Sequence, residues 1–379
     1  MGRVSVVEAS NTSSSLIRPA VAELTPYVPG KPVEDVQREL GLERVVKLAS
    51  NEGPFGPFPA ALEVMAKVAN DLNRYPDGGT FRLHDALAAR HGVAFGNVVA
   101  GSGADGCIDM LSQALLDPGD EIVCGWPSFP SYFIYARKQG ANAVTVPLID
   151  GRYDLDGLLA AITPKTKIVY VCQPNNPTGT ASTRAELDRF MAALPAHVIA
   201  VIDQAYFEYI DDPDYGDAVE EYLKPGRPVV VLRTFSKIYG LAGLRVGYAV
   251  GPSDVIAAMS KVRRPFDITT TAQLAAVASL DDDAELARRR AINAAGMARL
   301  DEIVRAHGLT PQAGALGNFL YVDVGDDAAG LYERLLRAGV IVRPLGGFGS
   351  HTAIRVSVGT PEELDFFAAA LPGALSANA

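Results

Sequence analysis

The chain has 379 residues, 48% hydrophobic and 21% charged, with a formal net charge of -10 at pH 7. That length exceeds one ordinary core, so two domains are expected, and the apolar content is ample for globular packing. The negative balance disfavours nucleic acid or an anionic membrane as the main partner, while leaving room for a local pocket that takes a small anion.

Residues 1–15 are polar and rich in Ser and Val, without the basic start and apolar core of a signal peptide or anchor. No uninterrupted apolar run reaches membrane-spanning length. Residues 1–30 read as an irregular arm, and the prolines Pro26, Pro29 and Pro32 forbid a helix at its end. Residues 46–50 are strand-like and 51–57 form a loop; 59–72 and 81–91 are helical, with a break at 73–79. Short apolar runs rich in β-branched residues then recur at 98–100, 121–124, 143–146, 168–172, 198–203 and 229–232. Amphipathic helical patterns such as 104–116, 129–139 and 184–194 lie between them. Strands alternating with helices predict an α/β fold, a mostly parallel sheet with helices on both faces. Residues 244–250 follow the preceding strand after only a glycine turn and can run antiparallel to it. Ser253 is placed to cap a helix over 254–262. One long helical pattern over 271–307 bridges to a smaller C-terminal domain, and its Arg288-Arg289-Arg290 run reads as a solvated face. Strands at 319–322, 340–342 and 353–358, with helices at 328–338 and 361–370, give that domain an α+β layout.

The three cysteines, Cys107, Cys124 and Cys172, are far apart in apolar surroundings and read as buried free thiols of a reducing compartment. The five histidines show no ligand spacing with each other or with cysteine, so no metal is expected.

Four motifs carry the chemistry. Gly101-Ser102-Gly103-Ala104-Asp105-Gly106 has the G-x-G-x-x-G form between a strand and a helix, where free N–H groups and the helix dipole favour a phosphate. A dinucleotide would require an acidic residue at the end of the next strand, and Cys124-Gly125-Trp126 stands there instead. The motif therefore reads as a phosphate site, with a plain tight turn as the alternative. Gln173-Pro174-Asn175-Asn176-Pro177-Thr178-Gly179 is a rigid proline-framed loop that aims Asn176 at a ligand, unless its asparagines only satisfy local backbone. Asp203 ends a buried apolar strand, where a carboxylate is costly unless paired or well hydrogen-bonded, and Tyr206 follows it. In Leu232–Gly251, Thr234 and Ser236 precede a lone lysine, Lys237, and Arg245 follows a Tyr-Gly-Leu-Ala-Gly turn. All these groups lie just past strand carboxyl ends, where open α/β sheets bind ligands.

Together these residues resemble the pyridoxal-phosphate (PLP) aminotransferases of the aspartate-aminotransferase fold, within them the histidinol-phosphate aminotransferases and their relatives that act on aromatic amino acids. The likeness runs from Leu24-Thr25-Pro26-Tyr27 to Ile354-Arg355-Val356-Ser357-Val358-Gly359, and the Thr-Phe-Ser-Lys-x-Tyr-Gly-Leu-Ala-Gly-Leu-Arg block carries most of it. The resemblance implies a large PLP-binding domain over residues 46–275 with a mostly parallel seven-stranded sheet. It also implies a small domain over 276–379, to which the arm in 1–45 contributes. It implies that Lys237 forms the Schiff base and then moves a proton between substrate and cofactor, and that Asp203 pairs with the pyridine nitrogen. Asn176 and Tyr206 would bond the ring's phenolic oxygen, and Phe129 would stack on the ring. Backbone N–H groups of Ala104 and Asp105, the hydroxyls of Thr234 and Ser236, and Arg245 would hold the phosphate. Tyr75 would reach the phosphate of the neighbouring subunit, implying a homodimer with shared sites. Arg355 resembles the family's carboxylate-binding arginine, with Arg343, Asn51 and Tyr27 completing an anion pocket.

Two departures stand out: Gln204 in Asp203-Gln204-Ala205-Tyr206, where the family commonly has Glu, and Gly53 in Asn51-Glu52-Gly53-Pro54, where it commonly has Asn. The Gly125-Trp126-x-Ser128-Phe129-x-x-Tyr132 stretch is closer to actinobacterial aromatic aminotransferases. The implied activity is ping-pong amino transfer between histidinol phosphate (imidazole-acetol phosphate as its oxo partner) and 2-oxoglutarate, in the cytoplasm. Phenylalanine, tyrosine or tryptophan is the alternative donor. A PLP decarboxylase or lyase, and a non-catalytic PLP-binding module, are the remote alternatives.

Overall fold

The computed structural model describes residues 16–24 and 29–376. Its centre is a seven-stranded sheet of β1 (Val98–Gly101), β2 (Glu121–Trp126), β3 (Asn142–Pro147), β4 (Thr166–Cys172), β5 (Ile199–Asp203), β6 (Val229–Thr234) and β7 (Gly247–Val250). The spatial order is β1-β7-β6-β5-β4-β2-β3. Every neighbouring pair from β6 to β3 is parallel, and β7 runs antiparallel to both β1 and β6. The middle strands are buried along their whole length because helices cover both faces, which is why they read as unbroken Val/Ile runs and not as alternation. Two of those helices matter for the site: α1 (Gly103–Leu115) follows β1, and α2 (Ser131–Gln139) follows β2.

A second core gathers Leu300, Val322, Leu335, Val356 and Phe367, and takes Val46 and Leu48 from the N-terminal side. Its sheet has the order β10-β11-β9-β8, from β8 (Thr310–Pro311), β9 (Phe319–Asp323), β10 (Arg343–Pro344) and β11 (Ala353–Ser357). The Val46–Lys47 strand pairs in parallel with Val340–Ile341 beside it. It is shorter than the expected 46–50: the Leu48 N–H still donates to the Ile341 carbonyl, but the Leu48 carbonyl accepts from the Ser357 N–H on β11 instead.

Several expectations need correction. The single helix expected over 271–307 is two, α3 (Thr270–Leu280) and α4 (Asp283–Ala306), because the Asp282 side chain accepts from the Glu285 N–H and starts a new helix. Ser253 is the first residue of the Ser253–Val262 helix and makes no cap bond; Pro252, in extended conformation, holds the cap position. The stretch 244–250 is a strand only from Gly247, since Ala242–Leu244 closes a 3-10 turn and Arg245 takes a left-handed φ of +56°. Helices at Pro19–Ala22, Val33–Leu40 and Leu155–Ala160 were not anticipated.

The arginine run of α4 is not a solvated face. Only Arg288 is exposed; Arg289 is 3% exposed and Arg290 Nε donates to the Glu208 carbonyl. Arg289 donates to Glu285 Oε1 at 2.6 Å, to the Ile238 carbonyl at 3.0 Å and to the Pro57 carbonyl at 3.2 Å, so α4 is tied to the residue next to Lys237. Arg289→Ala should therefore destabilise the protein by about 3 kcal/mol, because buried carbonyls lose their donor. Arg288→Ala should leave the denaturation midpoint unchanged; urea titration of the two variants checks both.

Candidate active site

The carboxyl ends of β1, β4, β5 and β6 converge on a cavity of about 150 Å³. Lys237 lies just past β6, with Nζ 3.4 Å from the Ser50 carbonyl and 5.3 Å from the Tyr206 ring. Burial first, and then the charge of Arg355, pushes its amine down from the usual lysine value to about 8. Asp203, 4% exposed at the end of β5, receives the Tyr132 hydroxyl on Oδ2 at 2.7 Å and the Ala205 N–H on Oδ1 at 3.0 Å. Burial raises its proton affinity, opposed by those two bonds and by the Lys237 charge.

At the other end of the cavity, α1 begins at Gly103, and its first-turn N–H groups have no helical partner by geometry. Thr234 Oγ1 donates to Ser236 Oγ at 2.9 Å and accepts the Ser236 N–H at 3.1 Å, which turns two hydroxyls toward that helix end. Arg245 closes it. A Cβ on Gly103 would stand 2.7 Å from Arg245 Nη2, and one on Gly247 would stand 2.4 Å from the Ala104 N. Only glycine at both positions lets β7, the guanidinium and the helix end come together. A helix N-terminus, hydroxyls and an arginine on one point make an anion site.

The third wall comes from the smaller core. Asn51 is 1% exposed; its Nδ2 donates to the Tyr206 hydroxyl at 2.8 Å, and Ser357 Oγ donates to its Oδ1 at 3.0 Å. Arg355 Nη1 donates to Asn176 Oδ1, and Nη2 donates to the Ala49 carbonyl at 2.7 Å. Arg343 sits opposite Arg355 in the β10–β11 register, and both guanidiniums lie over the Phe348 ring, at 5.4 and 5.6 Å.

Ala104, Asp105, Phe129, Asn176, Asp203, Tyr206, Thr234, Ser236, Lys237 and Arg245 thus line one cavity, with Arg355 and Asn51 bonded to its walls. Tyr75 is elsewhere: it is 82% exposed and stacks on Phe266 at 4.7 Å. Tyr27 lies outside the described residues. The asparagine pair divides its work, since Asn175 bonds the Pro127 carbonyl and Thr178 within the loops while Asn176 faces the cavity. Gln204 points away from the cavity, into a buried cluster around Arg233. Sequence reasoning missed Cys172 and Ala205 as lining residues, Tyr132 as the support of Asp203, and Ser357 as the support of Asn51. Ala205 was signalled by its place between Asp203 and Tyr206; Cys172 is the register partner of Asp203 on β4, which only the sheet reveals.

The chain is also similar to known proteins. The family model for aminotransferase class I and II matches residues 43–371. The histidinol-phosphate aminotransferase of Moorella thermoacetica is 43% identical over 355 residues, covering 93% of this chain and 92% of that one. Histidinol-phosphate aminotransferase 2 of Methylococcus capsulatus is 44% identical, covering 94% and 98%. Among solved structures, the histidinol-phosphate aminotransferase of Sinorhizobium meliloti in complex with pyridoxal-5'-phosphate superposes with a TM-score of 0.89 at 31% identity, covering 98% of this chain and all of that one. With its lysine, buried carboxylate and anion end on one sheet edge, the chain belongs to the class I and II aminotransferases.

Proposed function

We propose that this enzyme uses pyridoxal phosphate to pass an amino group between histidinol phosphate and 2-oxoglutarate. The observation that carries the reading is the pairing, across one buried cavity, of a lysine amine lowered to about 8 with the Asp203 carboxylate, beside a helix-end anion site. The residues fit the cofactor: the glycine-cleared end at Gly103 suits its phosphate, and the carboxylate end suits its ring nitrogen.

When bound, pyridoxal phosphate supplies an electron sink for the pair left at the substrate's Cα. The residues of the chain do the rest. Lys237 is the anchoring amine and, once released by substrate, the group that moves the proton at Cα. Asp203 holds the proton of the ring nitrogen. The N–H groups of Ala104 and Asp105, the hydroxyls of Thr234 and Ser236, and Arg245 would hold the phosphate, with Phe129 over the ring and Asn176 and Tyr206 at its phenolic oxygen. Arg355, with Arg343 and Asn51, would grip the substrate's carboxylate or phosphate. The proposal extends to a cytoplasmic homodimer in which the exposed Tyr75, and Tyr27 in the arm, serve the partner's site.

An aromatic amino acid as donor is the second reading, favoured by the Gly125-Trp126-x-Ser128-Phe129-x-x-Tyr132 stretch, whose Phe129 lines the cavity. With 2-oxoglutarate as acceptor, kcat/KM for histidinol phosphate should exceed that for phenylalanine by at least about tenfold; equality or reversal transfers the reading to the aromatic donors. Lys237→Ala should lower transamination by at least about a thousandfold, as expected when the proton-transfer group is lost. Reconstitution of cofactor-free protein should quicken with pH and level off above about 8, because the reactive form is the neutral amine; an ordinary lysine at 10.5 would still be quickening there. Stopped-flow absorbance of PLP uptake measures it.

A further inference from the structure

Asp203 is expected to act at the ring nitrogen, yet a carboxylate so deeply buried needs its own support, and its side-chain donor comes from helix α2. Tyr132 on α2 is fully buried, and its ring stacks on Tyr170 at 4.2 Å with 14° between planes. Its hydroxyl is held 2.7 Å from Asp203 Oδ2. One residue before it, Ser131 Oγ donates to Asp105 Oδ1 at 2.5 Å, and one turn on, the Tyr135 hydroxyl donates to Asp105 Oδ2 at 2.5 Å. Asp105 lies in the first turn of α1, at the anion end of the cavity. Helix α2 therefore bonds both ends of the cavity at once.

We propose that Tyr132 is a positioning residue that fixes the Asp203 carboxylate and keeps it ionised to face the cofactor's ring nitrogen. The inference rests on the functional reading above. Three features support it. The two carboxylate oxygens each take one donor, Tyr132 on Oδ2 and the Ala205 N–H on Oδ1, which sets the plane of the group and leaves lone pairs for the ligand. Tyr132 cannot rotate away, being locked by its stack on Tyr170 and by edge contact with Phe129 at 5.7 Å. Burial also pushes its phenol far above the usual tyrosine range, so it stays a donor at any working pH. The other charges acting on Asp203 are Lys237, which favours its ionised form, and Asp105, which opposes it. With Tyr132 removed, the desolvated carboxylate keeps one neutral donor and Lys237.

The test is Tyr132→Phe, which keeps the ring and its stack and deletes one oxygen, measured beside Asp203→Asn and the parent enzyme. PLP binding should weaken about tenfold, the worth of one charge-assisted hydrogen bond. Absorbance of the loaded enzyme should show its pH midpoint move upward, because a ring nitrogen that holds its proton less well withdraws less charge from the linkage to Lys237. Asp203→Asn should move the midpoint the same way and further. The parent's kcat should fall about tenfold in Tyr132→Phe while KM for the amino donor changes less than twofold. A lower melting temperature of the cofactor-free variant with an unmoved midpoint and unchanged PLP affinity overturns the proposal, since it marks Tyr132 as packing alone. If Asp203→Asn also leaves midpoint and affinity unchanged, the functional reading of Asp203 falls instead.

Discussion

A carboxylate at the tip of a central strand sets the terms for the rest of the molecule. Strands β4, β5 and β6 run in parallel with Cys172, Asp203 and Leu232 in one register row, buried on both faces by helices. Such strands are mainly apolar along their length, with Arg233 the buried exception on β6, so chemistry collects at their carboxyl ends. Asp203 is the charge that this edge must accommodate, and the buried Lys237 amine is what shares the cavity with it. Burial penalises both ions: together with the Arg355 and Arg245 charges, and against those of Glu52 and Asp203, it brings the Lys237 amine down to about 8, while Asp203 is held first by the Tyr132 and Ala205 bonds and then by the Lys237 charge.

The anion end depends on a reversal of strand direction. Had β7 continued the parallel pattern, its start would lie at the opposite edge of the sheet. Running antiparallel between β1 and β6, it places Gly247 opposite both Gly101 and Thr234, at the edge where α1 begins. The turn that feeds it carries Arg245 in a left-handed conformation, aimed at Gly103. The separation between anion end and carboxylate end is then set by rigid sheet interior and not by loops, a precise way to fit a ligand of fixed length.

Much of this was legible in the sequence, for physical reasons. Asp203, Lys237 and Arg245 stand out because each is a charge at the end of an apolar run, an arrangement that desolvation makes too costly to be idle. The strand alternation was legible for the same reason that buried parallel strands are: they cannot be anything but apolar. What escaped was whatever depends on a residue's distant neighbours. Arg289 sits in a run of three arginines that looks solvated, and only the approach of Ile238 and Pro57 makes it a buried tie. The break between α3 and α4 had a local signal, Asp282 three residues before Glu285, hidden inside an acidic stretch. Tyr132 stood in a recognised stretch but gave no signal of its partner, since an aromatic on an amphipathic helix is ordinary core until Asp203 is brought 2.7 Å from it.

The two departures from the family's pattern resolve differently once their surroundings are known. Gln204 does not touch the cavity. Its Oε1 accepts from Arg233 Nη2 at 2.9 Å and its Nε2 donates to the Gly216 carbonyl at 2.8 Å, so both ends of the amide are used. Arg233, 2% exposed, already has Asp217 at 3.0 Å and Glu208 at 3.4 Å, and a third carboxylate there would add repulsion to a desolvated cluster. A neutral acceptor is the better match to that charge count. Gly53 is the opposite case. A Cβ there would stand 3.3 Å from the Tyr209 hydroxyl, which is buried without a hydrogen-bond partner among the described residues. The Lys237 carbonyl lies 3.7 Å from the same point and Phe55 Cδ2 3.8 Å from it, so an added side chain would be in contact on those sides too. The loop's inner residue, Asn51, keeps its bonds to Tyr206 and Ser357, so the face the loop shows to the cavity is intact with glycine at 53.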